Sequence, residues 1–395
     1  MKKIKLFEFF SGIGSQYKAF KNIAKKHNIH VESVGCCEWY IDAIIGYMAI
    51  HYGLLKPEEH FSHNEMVELL KPYGFSKDSK QPISNNYFKR CKNLASIFPY
   101  LYAFVNKDYF QKKYPNNIAP DNSVDIRFVK QLDYEIDVMT YSFPCQDLSQ
   151  QGKQRGLGKQ TRSGLLFEVE RILKHSKIKP KVLILENVKT LTSQKFIKQF
   201  NEWIDTLDML GYHTSFKVLN SADFGSAQNR ERIFAVSIRK DIFNNAFNFD
   251  NLISLNHKKL KNIIKSTNYG IDASNLLSEF SRTKFYITKS NINKSRLINY
   301  SKFNSETYIY LNTNLGPTLT ASGANSRLKF YFPKLNKLRY INSEEAFLYL
   351  GFTNKDFNSI NKTKLISDTK MIFLAGNSIS IEVLESLFSE VIKWI

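Results

Sequence analysis

In the run Tyr141-Ser142-Phe143-Pro144-Cys145-Gln146, a buried-type strand delivers one cysteine, held by a proline, into an open loop. Two further signals follow at domain-scale spacing: Leu183-Ile184-Leu185-Glu186-Asn187-Val188 and Gln228-Asn229-Arg230-Glu231-Arg232. A thiol, a carboxylate at the end of an apolar run and an arginine pair suit covalent chemistry on a polar ring, and cytosine is the ring they fit. Alone, each is ordinary. A cysteine after a strand is commonly a small buried apolar residue, a strand-end carboxylate a cap, and an arginine pair a solvated face. Their order and company give them weight.

The elements that must position these residues follow from periodicity. Residues 4–10 form an apolar run, Ser11-Gly12-Ile13-Gly14-Ser15 a glycine turn, and a helical pattern continues to about Lys26. A second run, Val31 to Cys37, ends at Glu38-Trp39 and leads into another helix. Residues 54–123 are irregular and rich in Lys, Asn, Pro and aromatics, as expected of an insertion carrying helices. Strands are expected at 136–141, 182–185, 217–219 and 233–238, with helices at 163–175 and 196–210. Strands alternating with helices predict an α/β fold built on a doubly wound, mostly parallel sheet. Ligands of such sheets sit beyond the carboxyl ends of the strands, where Gly12, Glu38, Asp125, Cys145 and Glu186 all fall. Residues 1–240 are thus expected to form one domain. A polar, Asn- and Lys-rich stretch, 241–335, reads as a second, smaller one. Residues 336–395, with an amphipathic pattern from Ile379 to Ile392, should return to the first.

Composition narrows the partner. Lys and Arg outnumber Asp and Glu by 56 to 36, a net charge of +20 over 395 residues, which favours a polyanion such as nucleic acid. With 43% hydrophobic and 23% charged residues the chain is globular rather than disordered. Four cysteines, Cys36, Cys37, Cys91 and Cys145, show neither paired zinc spacing nor a secretory disulfide pattern, so a reducing cytoplasm and no metal are expected. Glu8 and the Gly12-Ile13-Gly14 turn cut short the signal-like start, and no apolar stretch is long enough to predict a membrane span.

In order and in content these landmarks resemble the DNA (cytosine-5) methyltransferases over nearly the whole chain. The likeness is closest to the mollicute CpG-specific enzymes, such as that of Spiroplasma, in TYSFPCQDLSQQG, TRSGLL, TKSNINK, YSKFNSE and GPTLTASGANSR. The resemblance implies an S-adenosylmethionine-dependent, Rossmann-like catalytic domain with a smaller target-recognition domain. Cys145 would be the thiolate that adds to ring carbon 6, Glu186 would hold the exocyclic amino group and ring nitrogen 3, and Arg232 the ring oxygen, with Arg230 supporting the site loop. Phe10, Gly12, Gly14, Glu38, Trp39, Asp125, Ile126, Pro144, Asn377 and Ser378 would bind S-adenosylmethionine.

The target base lies inside duplex DNA and must be flipped out. The loop 146–164 suits a lid, with Ser149, Gln151 and Arg162 meeting DNA and Gln151 entering the vacated space. Ser290, Asn291, Arg296, Ser322, Asn325 and Arg327 are candidates for contacts in the major groove, most of them to phosphate. CG is the expected target, although Ser295-Arg296 and Leu311-Asn312-Thr313-Asn314 depart from the CpG pattern. A monomer without an obligate protein partner is expected, and a solitary or a restriction-linked enzyme fits equally. An RNA cytosine methyltransferase on the same scaffold is the rival enzyme, and an inactive DNA-binding protein the rival without chemistry.

Overall fold

Two short runs are apolar on both faces, and both lie mid-sheet. They are β3 (Val138–Tyr141) and the first half of β4 (Val182–Val188) in a computed structural model that describes residues 1–144, 162–321 and 327–395. Around them are β1 (Lys2–Phe9), β2 (Ile29–Cys37), β5 (Tyr212–Asn220) and β6 (Glu231–Arg239), in the order β2-β1-β3-β4-β6-β5. Pairing is parallel from β2 through β4 and antiparallel between β4 and β6. The chain leaves β1 for one neighbour and later returns to the other, so a crevice opens at the carboxyl ends of β1 and β3.

Helices cover both faces. Alternation puts Phe7 and Phe9 of β1 in a core with α6 (Leu166–His175) and α7 (Ile197–Met209), whose Phe200, Trp203 and Leu207 recur at helical spacing. On the opposite face Glu8 meets α1 (Ser15–Ala24) and α2 (Ile41–His51) through Tyr17 and Tyr47. The 54–123 insertion carries α3 (His63–Leu70), α4 (Leu94–Val105) and α5 (Lys107–Lys113).

Two compact units result. The first is Met1–Leu219, Glu231–Leu252 and Leu387–Ile395; the second is Asn220–Arg230 and Ile253–Ser386. The divisions therefore fall elsewhere than at 240 and 335. Residues 220–230 belong to the second unit because Gln228 and Asn229 bond to Leu319 and Gly316. Only the last nine residues join the first unit, where Phe388 stacks on Phe20 with ring centroids 3.8 Å apart.

The second unit holds α8 (Asn275–Glu279), β7 (Tyr286–Ile287), β8 (Asn293–Arg296), α9 (Asn304–Thr307), β9 (Tyr308–Tyr310), β10 (Lys329–Phe332) and β11 (Lys337–Tyr340). Its sheet runs β11-β10-β9-β8-β7 over a core of Leu297, Ile309 and Leu338. After it come α10 (Ser343–Tyr349), α11 (Asn354–Asn361), α12 (Asp368–Asn377) and α13 (Ile381–Val391), the last crossing from the second unit into the first. The apolar run Asp368–Trp394 is mostly buried within the protein, as core helices are.

Arg339 and Glu345 form a bidentate ion pair with side chains 0% and 1% exposed. Glu345 also completes the capping box at the start of α10. Removing one partner strands a buried charge. Glu345→Ala should destabilise the second unit by about 3–5 kcal/mol, read as a lower urea midpoint; a loss under 1 kcal/mol would mean the pair is not what holds α10 to β11.

Candidate active site

The first strand ends in a left-handed turn. Phe10, Gly12 and Gly14 have φ of 57°, 56° and 76°, a conformation that L side chains resist and glycine accepts. The amides of Phe10 and Ser11 donate to the Cys37 carbonyl, at 2.9 and 3.3 Å, tying the turn to the end of β2. A Cβ on Gly12 would meet nothing within 4 Å, so the turn is open on that side. Gly14 is the N-cap of α1 and has no side chain to cap it. The acceptor comes from the sheet instead: fully buried Glu8 takes the Tyr17 amide at 3.3 Å.

At the end of β2, one carboxylate binds three backbone donors. Glu38 accepts from Gly12 N at 2.9 Å, Trp39 N at 2.9 Å and Tyr40 N at 2.8 Å. Burial pushes its carboxyl pKa up, and the three amides pull it back. The chain at 121–125 runs along the free edge of β2, with Asp121 N on Val34 O and Ser123 N on Cys36 O, which brings Asp125 beside Glu38. Asp125 is buried and gripped by Arg127, whose Nε lies 2.9 and 3.0 Å from its two oxygens. The Arg127 guanidinium in turn lies over the Trp39 ring, 5.8 Å from its centroid. The Ile126 side chain is part of the hydrophobic core.

β4 and β6 assemble the third group. Their register sets Glu186 opposite Phe234 and Val188 opposite Arg232, so Glu186 and Arg232 share a face as diagonal neighbours. Glu186 Oε1 lies 3.3 Å from Arg232 Nε, the side chains 12% and 18% exposed. Asn187, on the other face, donates to the Phe143 carbonyl at 3.1 Å and fixes the chain just before Pro144 and Cys145. Burial pushes the thiol pKa of Cys36, Cys37 and Cys91 upward. Each therefore stays protonated, unsuited to nucleophilic work. Cys145, Ser149, Gln151, Ser322 and Asn325 lie outside the described residues.

Residues 88–393 match the model of the C-5 cytosine-specific DNA methylases. The chain belongs to that family. It is 42% identical to the orphan methyltransferase M.SssI of Spiroplasma monobiae, across 99% of this chain and 97% of the relative. It is 30% identical to the type II methyltransferase M2.ScrFI of Lactococcus lactis subsp. cremoris, across 99% of each. The fold also matches the crystal structure of S. pombe Dnmt2 methyltransferase, with a TM-score of 0.57 at 15% identity over 99% of this chain and 98% of that one. Entamoeba histolytica methyltransferase EhMeth gives 0.58 at 16% identity over 100% and 99%. The protein is a DNA cytosine-5 methyltransferase.

In this methylase the two arginines part company. Arg232 reaches Glu186, whereas Arg230 is buried and donates to the carbonyls of Leu319, Gly376 and Ser378 at 2.7, 3.1 and 3.0 Å. Arg230 is a structural tie within the second unit, because a planar guanidinium can satisfy several carbonyls at once. Ser378 donates to Leu374 O at 2.9 Å, and Asn377 is exposed at the end of α12. Arg327 is buried against Thr369, which removes it from the groove-facing candidates. Ser290, Asn291 and Arg296 are exposed, and Arg162 opens the 3-10 turn Arg162–Leu165. Beside Arg296 on β8, Lys294 lies 3.7 Å from the Tyr308 ring centroid, a basic and aromatic surface.

Sequence reasoning missed Glu8, Arg127 and Asn187. The ENV triplet was a signal for Asn187; nothing in sequence separated Glu8 from a surface carboxylate within an apolar run. Burial raises the Glu8 pKa from 4.5 to about 7, against lowering by Tyr47, Tyr17 and Lys21. A carboxyl raised in the native state contributes stability below its unfolded pKa, and that contribution is lost as pH rises through about 7. The unfolding free energy of Glu8→Gln relative to wild type, read from thermal melts, should therefore rise between about pH 5 and pH 7, by a few kcal/mol at most. A pH-independent difference would place the Glu8 pKa near its ordinary value.

Proposed function

We propose that this methylase transfers the methyl group of S-adenosylmethionine to carbon 5 of a cytosine flipped out of double-stranded DNA, at CG sequences, through a transient adduct on Cys145. The observation that carries the reading is the Glu186–Arg232 pair, next along β4 to the Asn187 that holds the strand end leading to Cys145. A thiolate is the nucleophile such chemistry needs, and the three described cysteines are kept protonated by burial.

The electron flow follows from these groups. The Cys145 thiolate adds to carbon 6, a C–S bond forms, and density moves toward carbon 5 and the carbonyl. Glu186 binds the amino group and shares with nitrogen 3 the proton that nitrogen takes up as the thiolate adds and gives back on elimination, and Arg232 binds the ring oxygen, so charge is met where it develops. Carbon 5 would then take the methyl group from S-adenosylmethionine as the methyl–sulfonium bond breaks, leaving S-adenosylhomocysteine. Loss of the carbon 5 proton to a base and cleavage of the C–S bond return the thiolate and release 5-methylcytosine.

The first unit suits the methyl donor. Its glycine turn is open at Gly12 and leads into a helix N-terminus. Glu38 has three of about four lone-pair sites filled, leaving one for a ribose hydroxyl. Trp39 offers a ring for stacking, and Asp125 would accept from the adenine amino group in place of a bond to Arg127. The second unit would read the target, with Ser290 and Asn291 in the turn between β7 and β8 and Arg296 on β8, all three exposed. Its likeness to CpG-specific enzymes in TKSNINK, YSKFNSE and GPTLTASGANSR favours CG.

Incubation with S-adenosylmethionine and unmethylated plasmid, followed by bisulfite sequencing, should show modification at every CG and nowhere else. Modification of a longer site would overturn the specificity alone. Cys145→Ala and Glu186→Ala should each lose turnover while duplex binding survives; turnover by Cys145→Ala would sink the adduct. Arg296→Ala should weaken duplex binding and lower its salt slope by about 1, and an unchanged slope would remove Arg296 from the interface.

A further inference from the structure

The glycine turn is held from behind by α2. His51, its last residue, puts Nε2 3.1 Å from the Ile13 carbonyl and Nδ1 2.9 Å from Lys21 Nζ. A carbonyl only accepts and an ammonium only donates, so the ring is neutral with its proton on Nε2. Burial and Lys21 both push the His51 pKa well below the ordinary value, in agreement with that tautomer. One turn earlier, Tyr47 donates to Glu8 at 3.0 Å, with Ser33 Oγ 3.2 Å from the same hydroxyl. Glu8 is the group that caps α1 through Tyr17 N.

The two rings also touch the turn itself. A Cβ on Gly14 would sit 2.2 Å from His51 Nε2 and 2.7 Å from Tyr47 Cε2. Gly14 is thus required twice, by its φ of 76° and by the rings against it. The Tyr17 ring closes the group, 5.0 Å from His51 and 6.5 Å from Tyr47 between centroids.

We propose that His51 and Tyr47 are positioning residues for the methyl donor, holding the Ile13–Gly14 peptide so that the open side of the turn keeps one geometry. The proposal rests on reading that turn as the S-adenosylmethionine site. Neither residue faces the reacting cytosine in this scheme; both act through backbone. Their loss should therefore appear in donor binding, with chemistry and DNA affinity spared.

The test measures KM for S-adenosylmethionine, kcat and KM for unmethylated duplex by radioactive methyl transfer, and the dissociation constant of S-adenosylhomocysteine by calorimetry. His51→Phe keeps the ring and loses the donor. It should raise the donor KM and the S-adenosylhomocysteine constant together, about three- to tenfold, the range of one neutral hydrogen bond. Its kcat at saturating donor and its KM for DNA should stay within about twofold, a change smaller than that one bond. His51→Gln, which can still donate to Ile13 O, should return the donor KM toward wild type. Tyr47→Phe should raise the donor KM by a similar factor. An unchanged donor KM in His51→Phe would overturn the proposal, as would a joint loss of all three parameters that Gln does not rescue. Should His51→Phe fail to fold, His51→Asn, too short to reach Ile13, must bind the donor more weakly than His51→Gln; equal values overturn the proposal. Wild-type protein that binds no S-adenosylhomocysteine would instead remove the donor-site reading itself.

Discussion

Everything at the carboxyl ends of β1 and β2 depends on one carboxylate. Glu38 gathers the amides of Gly12, Trp39 and Tyr40, and so joins the glycine turn, the end of β2 and the entry to α2. Two of these donors come from residues adjacent in sequence, but Gly12 lies in the turn after β1, so the bond fixes that turn against the end of β2. The turn in turn fixes α1, whose N-cap glycine brings no acceptor of its own. Burial raises the Glu38 pKa, while three hydrogen bonds favour the ionised form. An anion used in this way is a structural group that joins three segments of the chain.

Other carboxylates of the first unit are held in the same way. Glu8 caps α1 from inside the sheet, Asp125 is held by Arg127, and Glu186 meets Arg232. Carboxylates withdrawn from water beside the sheet would be costly without such partners, and here each partner belongs to the element that must be placed. The antiparallel strand β6 is the informative case. A parallel neighbour to β4 would bring its own carboxyl end to the site. The antiparallel one brings its first residues, and Arg232 is second in β6.

Much of this was legible in sequence because it is local. The alternation of apolar runs with helical stripes gave β1 through β6 and their flanking helices, and glycine spacing gave the turn after β1, though not its left-handed backbone. Long-range partners were not legible. Arg230 and Arg232 stand two residues apart in one polar run, yet one is a buried tie to three carbonyls and the other meets Glu186. Arg327 looked like a base reader and is buried against Thr369. In each case the side chain's type was informative about what it can bind, and only the fold decided what it meets. Glu8 shows the converse, since a glutamate inside an apolar run is uninformative until Tyr47 and Tyr17 are set against it.

The split between Arg230 and Arg232 also explains why the boundary between the compact units runs through a conspicuous motif. Residues Asn220–Arg230 belong to the second unit and Glu231–Leu252 to the first. Gln228 spends both ends of its amide within the second unit, on Tyr349 O at 2.8 Å and Leu319 N at 3.3 Å, and Arg230 adds three carbonyls there. One residue later the backbone enters a sheet that fixes Arg232 by register. A segment bonded this tightly on one side and registered on the other leaves Arg232 little freedom of position. That is the property a group needs if it is to meet charge only as charge develops on the substrate.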